Sequence, residues 1–294
     1  MITRPNVKIN LGLNVLRKRK DGFHDLETLF VPYLGIADVL EIVTGDDYSR
    51  TLSHLVSVYG GQADEEYNRK FVQAVSPDGK VMITIARAEG VDWNPLEDLT
   101  VKAYNVLDEE FGLPPVKMFL EKMSPVGAGL GGGSSDAAFA LKMLDSMFGL
   151  SLTDDALAKY AARIGSDCAF FVYNRPMFGR GRGEILEDYP LEGIDYGQGG
   201  DAAYELQVVV PEGVAVSTAQ AYCGICPAVP AVSLEEVLKM PVESWKGHLV
   251  NDFEKTVFAV HPALAAVKDS IYDSGALYAS MSGSGSALFG IYRR

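Results

Sequence analysis

The sequence predicts an α+β protein in two parts, and three observations carry that expectation. Val7, Ile9, Leu11, Leu13 and Val15 alternate with Lys8, Asn10, Gly12 and Asn14, the period of a strand with one buried face. Ala137, Leu141, Leu144 and Phe148 repeat at helical spacing behind a run of small residues. The C-terminal third mixes strand and helix patterns and carries a second small-residue turn, Met281-Ser282-Gly283-Ser284-Gly285-Ser286. At 294 residues the chain can bury one large core or two ordinary ones. The glycine- and charge-rich segment 179–200 is read as the junction, giving domains 1–185 and 186–294.

Hydrophobic residues make up 48% and charged residues 22% of the chain, the balance of a soluble globular protein. It has no run of about eighteen apolar residues, and MITRPNVKIN lacks the charged-then-apolar layout of a signal peptide. A cytoplasmic location is the expectation. The net charge of -13 argues against nucleic acid or an anionic membrane as partner, because little is available to neutralise a row of phosphates. The basic cluster Arg17-Lys18-Arg19-Lys20 sits beside Asp21-Gly22 and reads as a solvated hairpin turn. Three cysteines are too few for a disulfide framework. Cys223-Gly-Ile-Cys226 has the spacing of a redox or metal pair, but the four histidines show no paired spacing and Pro227 and Pro230 follow in a loop-like run. It is read as incidental.

In chain order, Lys8 and Asn10 share one face of the first strand. That face is ordinarily solvent; a segment covering it would give both a role. A turn at Asp21-Gly22 leads to Phe23-His24 and an extended run through Val31, and Val39 to Val43 reads as a third strand, so an antiparallel meander is expected. Residues 45–80, broken by Gly60-Gly61, Asp64-Glu65-Glu66 and Pro77-Asp78-Gly79, read as a surface excursion with a hairpin or short helix of its own. Val81 to Ala86 reads as a strand, Leu99 to Phe111 as a helix stopped by Gly112-Leu113-Pro114, and Val116 to Met123 as a strand. A helix opening at Ser134 or Ser135 runs to Gly149, and Thr153 caps another that ends at Gly165. Asp167 follows that stop and precedes four apolar residues. On the residues alone it is either a cap for a short buried element or a carboxylate held at a site. Beyond it come a strand at Tyr204 to Val210, a short helix or turn at Ser217 to Tyr222, and a capping box of Ser233 with Glu236. Helices over Val242 to Val260 and Ala263 to Tyr272 and strands over Ala276 to Met281 and Ala287 to Tyr292 complete the chain.

The stretch Ser124 to Ala138 carries glycine at 127, 129, 131, 132 and 133. So little side chain lets backbone N–H groups approach a ligand, and the helix start behind it adds free donors and a positive dipole end. The pair makes an anion cradle; a flexible linker fits less well between a strand and an uninterrupted helix. Gly127-x-Gly129-x-x-Gly132 matches the dinucleotide fingerprint, which makes an oxidoreductase the rival. Two successive helices follow, however, with no strand ending in an acidic residue. A P-loop needs lysine where Ser134 stands, and the His-Arg-Asp and Asp-Phe-Gly motifs of protein kinases are absent.

Pro125-x-x-x-Gly129-Leu130-Gly131-Gly132-Gly133-Ser134-Ser135-Asp136-Ala137-Ala138 resembles the central ATP-binding motif of the GHMP kinase superfamily. Lys8-Ile9-Asn10-Leu11 resembles its N-terminal motif and Met281-Ser282-Gly283-Ser284-Gly285 its C-terminal one. Three ordered motifs over nearly the whole chain are far more specific than any one of them. The resemblance implies the two-domain GHMP kinase fold, with a ribosomal protein S5 domain 2-like N-terminal domain and a ferredoxin-like C-terminal domain. It also implies ATP and Mg²⁺, with no metal ligand assigned. Asp21-Gly22-Phe23-His24, Gly165-Ser166-Asp167 and Asn251-Asp252-Phe253-Glu254 resemble the branch that phosphorylates a cytidine-diphosphate sugar alcohol on the non-mevalonate route to isoprenoid precursors. Homoserine and mevalonate kinase-like enzymes are the near rivals.

What the resemblance implies can be placed residue by residue. Asp167 would take the proton of the acceptor hydroxyl, and Lys8 would hold that carboxylate's charge and the hydroxyl, a pairing that keeps a base ionised. Pro125, Gly127, Gly129, Leu130, Gly131, Gly132, Gly133, Ser134 and Ser135 would hold the triphosphate, with Ser282, Gly283, Ser284 and Gly285 forming a loop near the site. Asn10, Phe23, His24 and Tyr222 would bind the acceptor, His24 hydrogen-bonding cytosine while Phe23 and Tyr222 sandwich it. The superfamily branch usually has tyrosine where Phe23 stands, which keeps the stacking face, and asparagine where Asp98 stands. The implied partner is a small molecule.

Overall fold

The computed structural model describes residues 1–60 and 67–294. Its elements sort into two compact units that alternate along the chain. The first holds Met1–Asn6, Ile36–Ser124 and Gly132–Tyr173; the second holds Val7–Gly35, Pro125–Gly131 and Asn174–Arg294.

The first unit is built on a five-stranded sheet in the order Ile2–Thr3, Val39–Thr44, Val116–Glu121, Val81–Ala86, Phe71–Val75. Val81–Ala86 and Val116–Glu121 are parallel, which requires a crossover, and the helix Leu99–Phe111 supplies it. Asp98 caps that helix, accepting the Thr100 N–H at 2.9 Å, and Gly112 ends it in the left-handed region. The helices Gly132–Phe148, Asp154–Ile164 and Cys168–Tyr173 follow. Ala137, Leu141 and Leu144 are wholly buried, as their spacing predicts.

The second unit contains two four-stranded sheets. One runs in the order Asn6–Lys18, His24–Ala37, Met177–Gly181, Ile185–Asp188, and the other Ile194–Asp195, Tyr204–Val209, Leu288–Arg293, Tyr278–Met281. Helices Phe253–Val260 and Pro262–Asp273 pack on the latter through a core that includes Phe253, Val257, Leu264, Ile271, Ala279 and Leu288.

Several expectations change. Val39–Thr44 does not continue a meander with its predecessors but joins the other sheet, between Ile2–Thr3 and Val116–Glu121; alternation marks a strand but not its partner. In the stretch 45–80, Pro77-Asp78-Gly79 proves to be a hairpin turn, with the Gly79 N–H donating to Ser76 O and Gly79 at φ +73°. That hairpin adds Phe71–Val75 as an edge strand. The helix Leu52–Tyr59 in the same stretch is tied down by Glu41, whose carboxylate accepts from Ser49 Oγ, Arg50 N, Thr51 N and Thr51 Oγ1. Residues 61–66, with Gly61 and Asp64-Glu65-Glu66, lie outside the described residues. The helix expected over Val242 to Val260 is a short 3₁₀ turn, Val242–Ser244, and a separate helix, Phe253–Val260. It breaks where Asn251 bridges to Leu13.

Candidate active site

The strand Asn6–Lys18 is buried on both faces over its first half, with Lys8 and Asn10 each only 3% exposed. Backbone from the glycine loop covers the polar face: Lys8 N donates to Leu130 O at 2.9 Å, and Lys8 Nζ donates to Gly129 O at 2.8 Å and Asn10 Oδ1 at 2.6 Å. The Asn10 amide is fixed in turn, because its Nδ2 donates to Thr28 Oγ1 and the Thr28 hydroxyl donates to Gly12 O. An ammonium with oriented acceptors on two sides points in one direction.

The second small-residue turn closes against the first. Ser282 Oγ donates to Gly129 O at 3.2 Å and accepts from Asn10 N, and Ala287 N donates to Ala128 O at 3.0 Å. Gly129 sits at φ +76°, and a Cβ there would lie 2.3 Å from Ser282 O. A Cβ on Gly283 would come within 3.1 Å of both Asn10 Oδ1 and Gly129 O. Only glycine allows two backbones this close with that φ. Asn251 holds the second turn in place: its Nδ2 donates to Met281 O and Gly283 O, while its Oδ1 accepts from Phe253 N.

In the same unit His24 and Tyr222 stack, with ring centroids 4.7 Å apart and planes 18° from parallel. Phe253 meets Tyr222 edge-on at 4.8 Å. The capping box of Ser217 and Gln220 starts the short helix that ends at Tyr222. Phe23 stays largely exposed and carries the Arg182 guanidinium over its ring at 5.0 Å, a cation–π contact. The expected acceptor residues His24 and Tyr222 are thus brought together, and Arg182 is a neighbour of Phe23 that the sequence does not single out.

Asp167 and the serines of the loop belong to the first unit. The helix behind the loop opens at Gly132, earlier than the sequence predicts, so Ser134 and Ser135 both lie in its first turn. Ser135 is fully buried and its Oγ has no hydrogen-bond partner. The Cys168 thiol is pushed up to about 12, chiefly by burial, with a Ser134 hydrogen bond acting in the opposite sense. Asp167 stands just before the helix Cys168–Tyr173, a half-exposed carboxylate at a helix start.

One buried cluster escaped the sequence reading. Lys122 is held between Asp38 and Asp136, with Nζ 2.6 Å from Asp136 Oδ2 and also bonded to Asp38 Oδ2. Asp38 further accepts Met123 N, Ser124 N and Ser124 Oγ, each at 2.6 Å. Burial and the neighbouring Asp38 charge push the Asp136 carboxyl well above the usual range, and the Lys122 ammonium acts against them. These residues stand 84 and 14 positions apart in the chain, so no local pattern announces them. The only hint is that a lysine and an aspartate bracket the glycine run.

Residues 98–175 match the N-terminal domain of GHMP kinases and residues 233–294 their C-terminal domain. A 4-diphosphocytidyl-2-C-methyl-D-erythritol kinase of Bacteroides thetaiotaomicron is 42% identical over 292 residues, covering 99% of this chain and 92% of the relative. The chain belongs to this kinase family. A second family member, from Parabacteroides distasonis, is 42% identical over 294 residues, covering 100% of this chain and 92% of its own length. The crystal structure of a 4-(cytidine 5'-diphospho)-2C-methyl-D-erythritol kinase superposes with a TM-score of 0.68 at 29% identity, covering 99% of this chain and 89% of that one. The mevalonate kinase of Methanococcus jannaschii, with a TM-score of 0.60 at 13% identity, covers 100% of this chain and 90% of its own and shares the fold alone. The α+β GHMP kinase fold expected from the three motifs is the one found, and the family makes the chain an ATP-dependent small-molecule kinase. Among the described residues no helix is long and apolar enough to cross a membrane.

Proposed function

We propose that the chain transfers the γ-phosphoryl group of ATP to the 2-hydroxyl of 4-diphosphocytidyl-2-C-methyl-D-erythritol, on the non-mevalonate route to isoprenoid precursors and in the cytoplasm. Full-length likeness to kinases of that name supports the acceptor, and the seat of Lys8 carries the chemistry. A buried ammonium oriented by Asn10 Oδ1 and Gly129 O offers fixed positive charge where charge builds on a transferring phosphoryl group.

In this reading Asp167 accepts the proton of the acceptor hydroxyl as its oxygen attacks phosphorus, and Lys8 holds that hydroxyl and keeps the carboxylate ionised. Pro125, Gly127, Gly129, Leu130, Gly131, Gly132 and Gly133 give backbone to the triphosphate, and Ser134 and Ser135 add the first helical turn. Mg²⁺, when bound with ATP, would neutralise part of the triphosphate's charge. Among the described residues no group of three or more His, Cys, Asp or Glu could hold a metal ion. The residues instead fit an ion ligated mainly by phosphate, with the unpartnered Ser135 hydroxyl as the protein donor. His24 reads the cytosine edge, and Phe23 and Tyr222 stack on the base. For a base to lie between Phe23 and Tyr222, the Arg182 guanidinium over Phe23 and the His24 ring stacked on Tyr222 both swing aside. The sequence domains 1–185 and 186–294 place the matched stretches 98–175 and 233–294 on either side of one boundary. The partners are small molecules, with no role for nucleic acid or membrane.

The test is ATP consumption with a panel of alcohols that includes the cytidine-diphosphate methylerythritol, homoserine and mevalonate. Turnover with the first alone is expected, and turnover only with another alcohol would move the chain elsewhere among the GHMP kinases.

A further inference from the structure

We propose that Asp38, Lys122 and Asp136 are positioning residues that clamp the two stems of the glycine loop and thereby set how tightly it holds the ATP triphosphate. The inference rests on the reading of that loop as the triphosphate holder.

The strand before the loop ends at Glu121, and the chain enters the helix at Gly132. Asp38, with no exposed surface, takes the N–H groups of Met123 and Ser124 and the Ser124 hydroxyl, so one carboxylate fixes the outgoing stem through three bonds. The backbone of Asp38 is fixed too, its N–H donating to Pro5 O at 2.9 Å. Lys122 then bridges from Asp38 to Asp136 in the second turn of the incoming helix. The stems close tightly: a Cβ on Gly132 would lie 2.3 Å from Ser124 Oγ and 3.0 Å from Lys122 Nζ. This gives Gly132 a reason separate from phosphate approach, since the helix must start on glycine for the stems to meet.

A buried cation between two carboxylates gives little net stability compared with an apolar trio of the same volume, but its geometry is directional. A loop with glycine at 127, 129 and 131 loses much backbone entropy when it wraps a ligand. Fixing both ends beforehand removes part of that cost from binding. The clamp accordingly acts on ATP, and the acceptor is indifferent to it.

Asp38→Asn keeps the shape and weakens the carboxylate's bonds to both stems. The expected result is a KM for ATP raised about tenfold, with the KM for the acceptor within about twofold and turnover lowered less than the ATP KM rises. An ATP KM within about twofold of the parent overturns the clamp. If Asp38→Asn fails to fold, Ser124→Ala removes a single bond of the set and should raise the ATP KM about threefold, no change again overturning the proposal. Gly129→Ala in the same assay separates the two readings. Weakened ATP binding in Gly129→Ala but not in the clamp variants defeats the clamp alone; unchanged ATP binding in all of them defeats the loop as ATP holder, and the clamp with it.

Discussion

Two buried lysines, one in each unit, differ in the acceptors seen to hold them. Lys122 lies between two carboxylates that offset its charge where it stands. Lys8 gives hydrogen bonds to a side-chain amide oxygen and a backbone carbonyl, which aim its ammonium. Both are about equally hidden, at 5% and 3% exposed. Burial alone therefore does not say what a lysine is for. In the proposed reading Lys122 belongs to the framework and Lys8 to the reaction.

The comparison can be broken in several places. Asp167→Asn carries the largest expected effect, a loss of turnover of about 10²–10⁴-fold with ATP binding little changed, the range for removing a general base. Near-parental turnover in single-turnover assays would leave Lys8 without a carboxylate to serve. Lys8→Met should follow, at about 10²–10³-fold in turnover. Its urea midpoint should move less than that of Lys122→Met; the reverse order would erase the distinction drawn above. Lys122→Met strands two buried carboxylates and should cost about 3–5 kcal/mol of stability, measured by urea unfolding. His24→Ala sharpens the comparison from the acceptor side: losing a hydrogen bond to the base should raise the acceptor KM about tenfold and leave that for ATP unchanged, and equal weakening of both would remove its role as cytosine reader. The smallest effect belongs to Cys223→Ser/Cys226→Ser. Both thiols are exposed and free, and the double variant should match the parent within about twofold with or without a zinc chelator; a larger change would show the pair to be functional.

How much of this is written in the sequence depends on range. The glycine run, its following helix and the alternation of Val7 to Val15 are local patterns, and all are found. What those patterns could not show was that Lys8 and Asn10 are covered, because the cover comes from Gly129 and Gly283, some 121 positions along the chain in the case of Gly129. The same limit explains the misplaced partner of Val39–Thr44, since strand pairing across distant segments is set by the whole sheet. The early helix start has a different origin: glycine is a poor helix former, and the sequence offers no sign that Gly132 is needed for close packing on Ser124. Asp167 stood evenly between cap and site on its own residues, and only the three-motif resemblance assigned it a task. The Asp38–Lys122–Asp136 cluster was illegible for the plainest reason, that its members meet only in three dimensions.

Asn251 ties the closing of the second turn to the chemical identity of one amide. Its amide nitrogen faces the carbonyl oxygens of Met281 and Gly283, so hydrolysis of that amide to an acid would exchange a double donor for a negative oxygen aimed at two others. The volume would hardly change, and the sign of the contact would reverse. Were that hydrolysis to occur, the group that secures the turn over Gly129 would push it away instead.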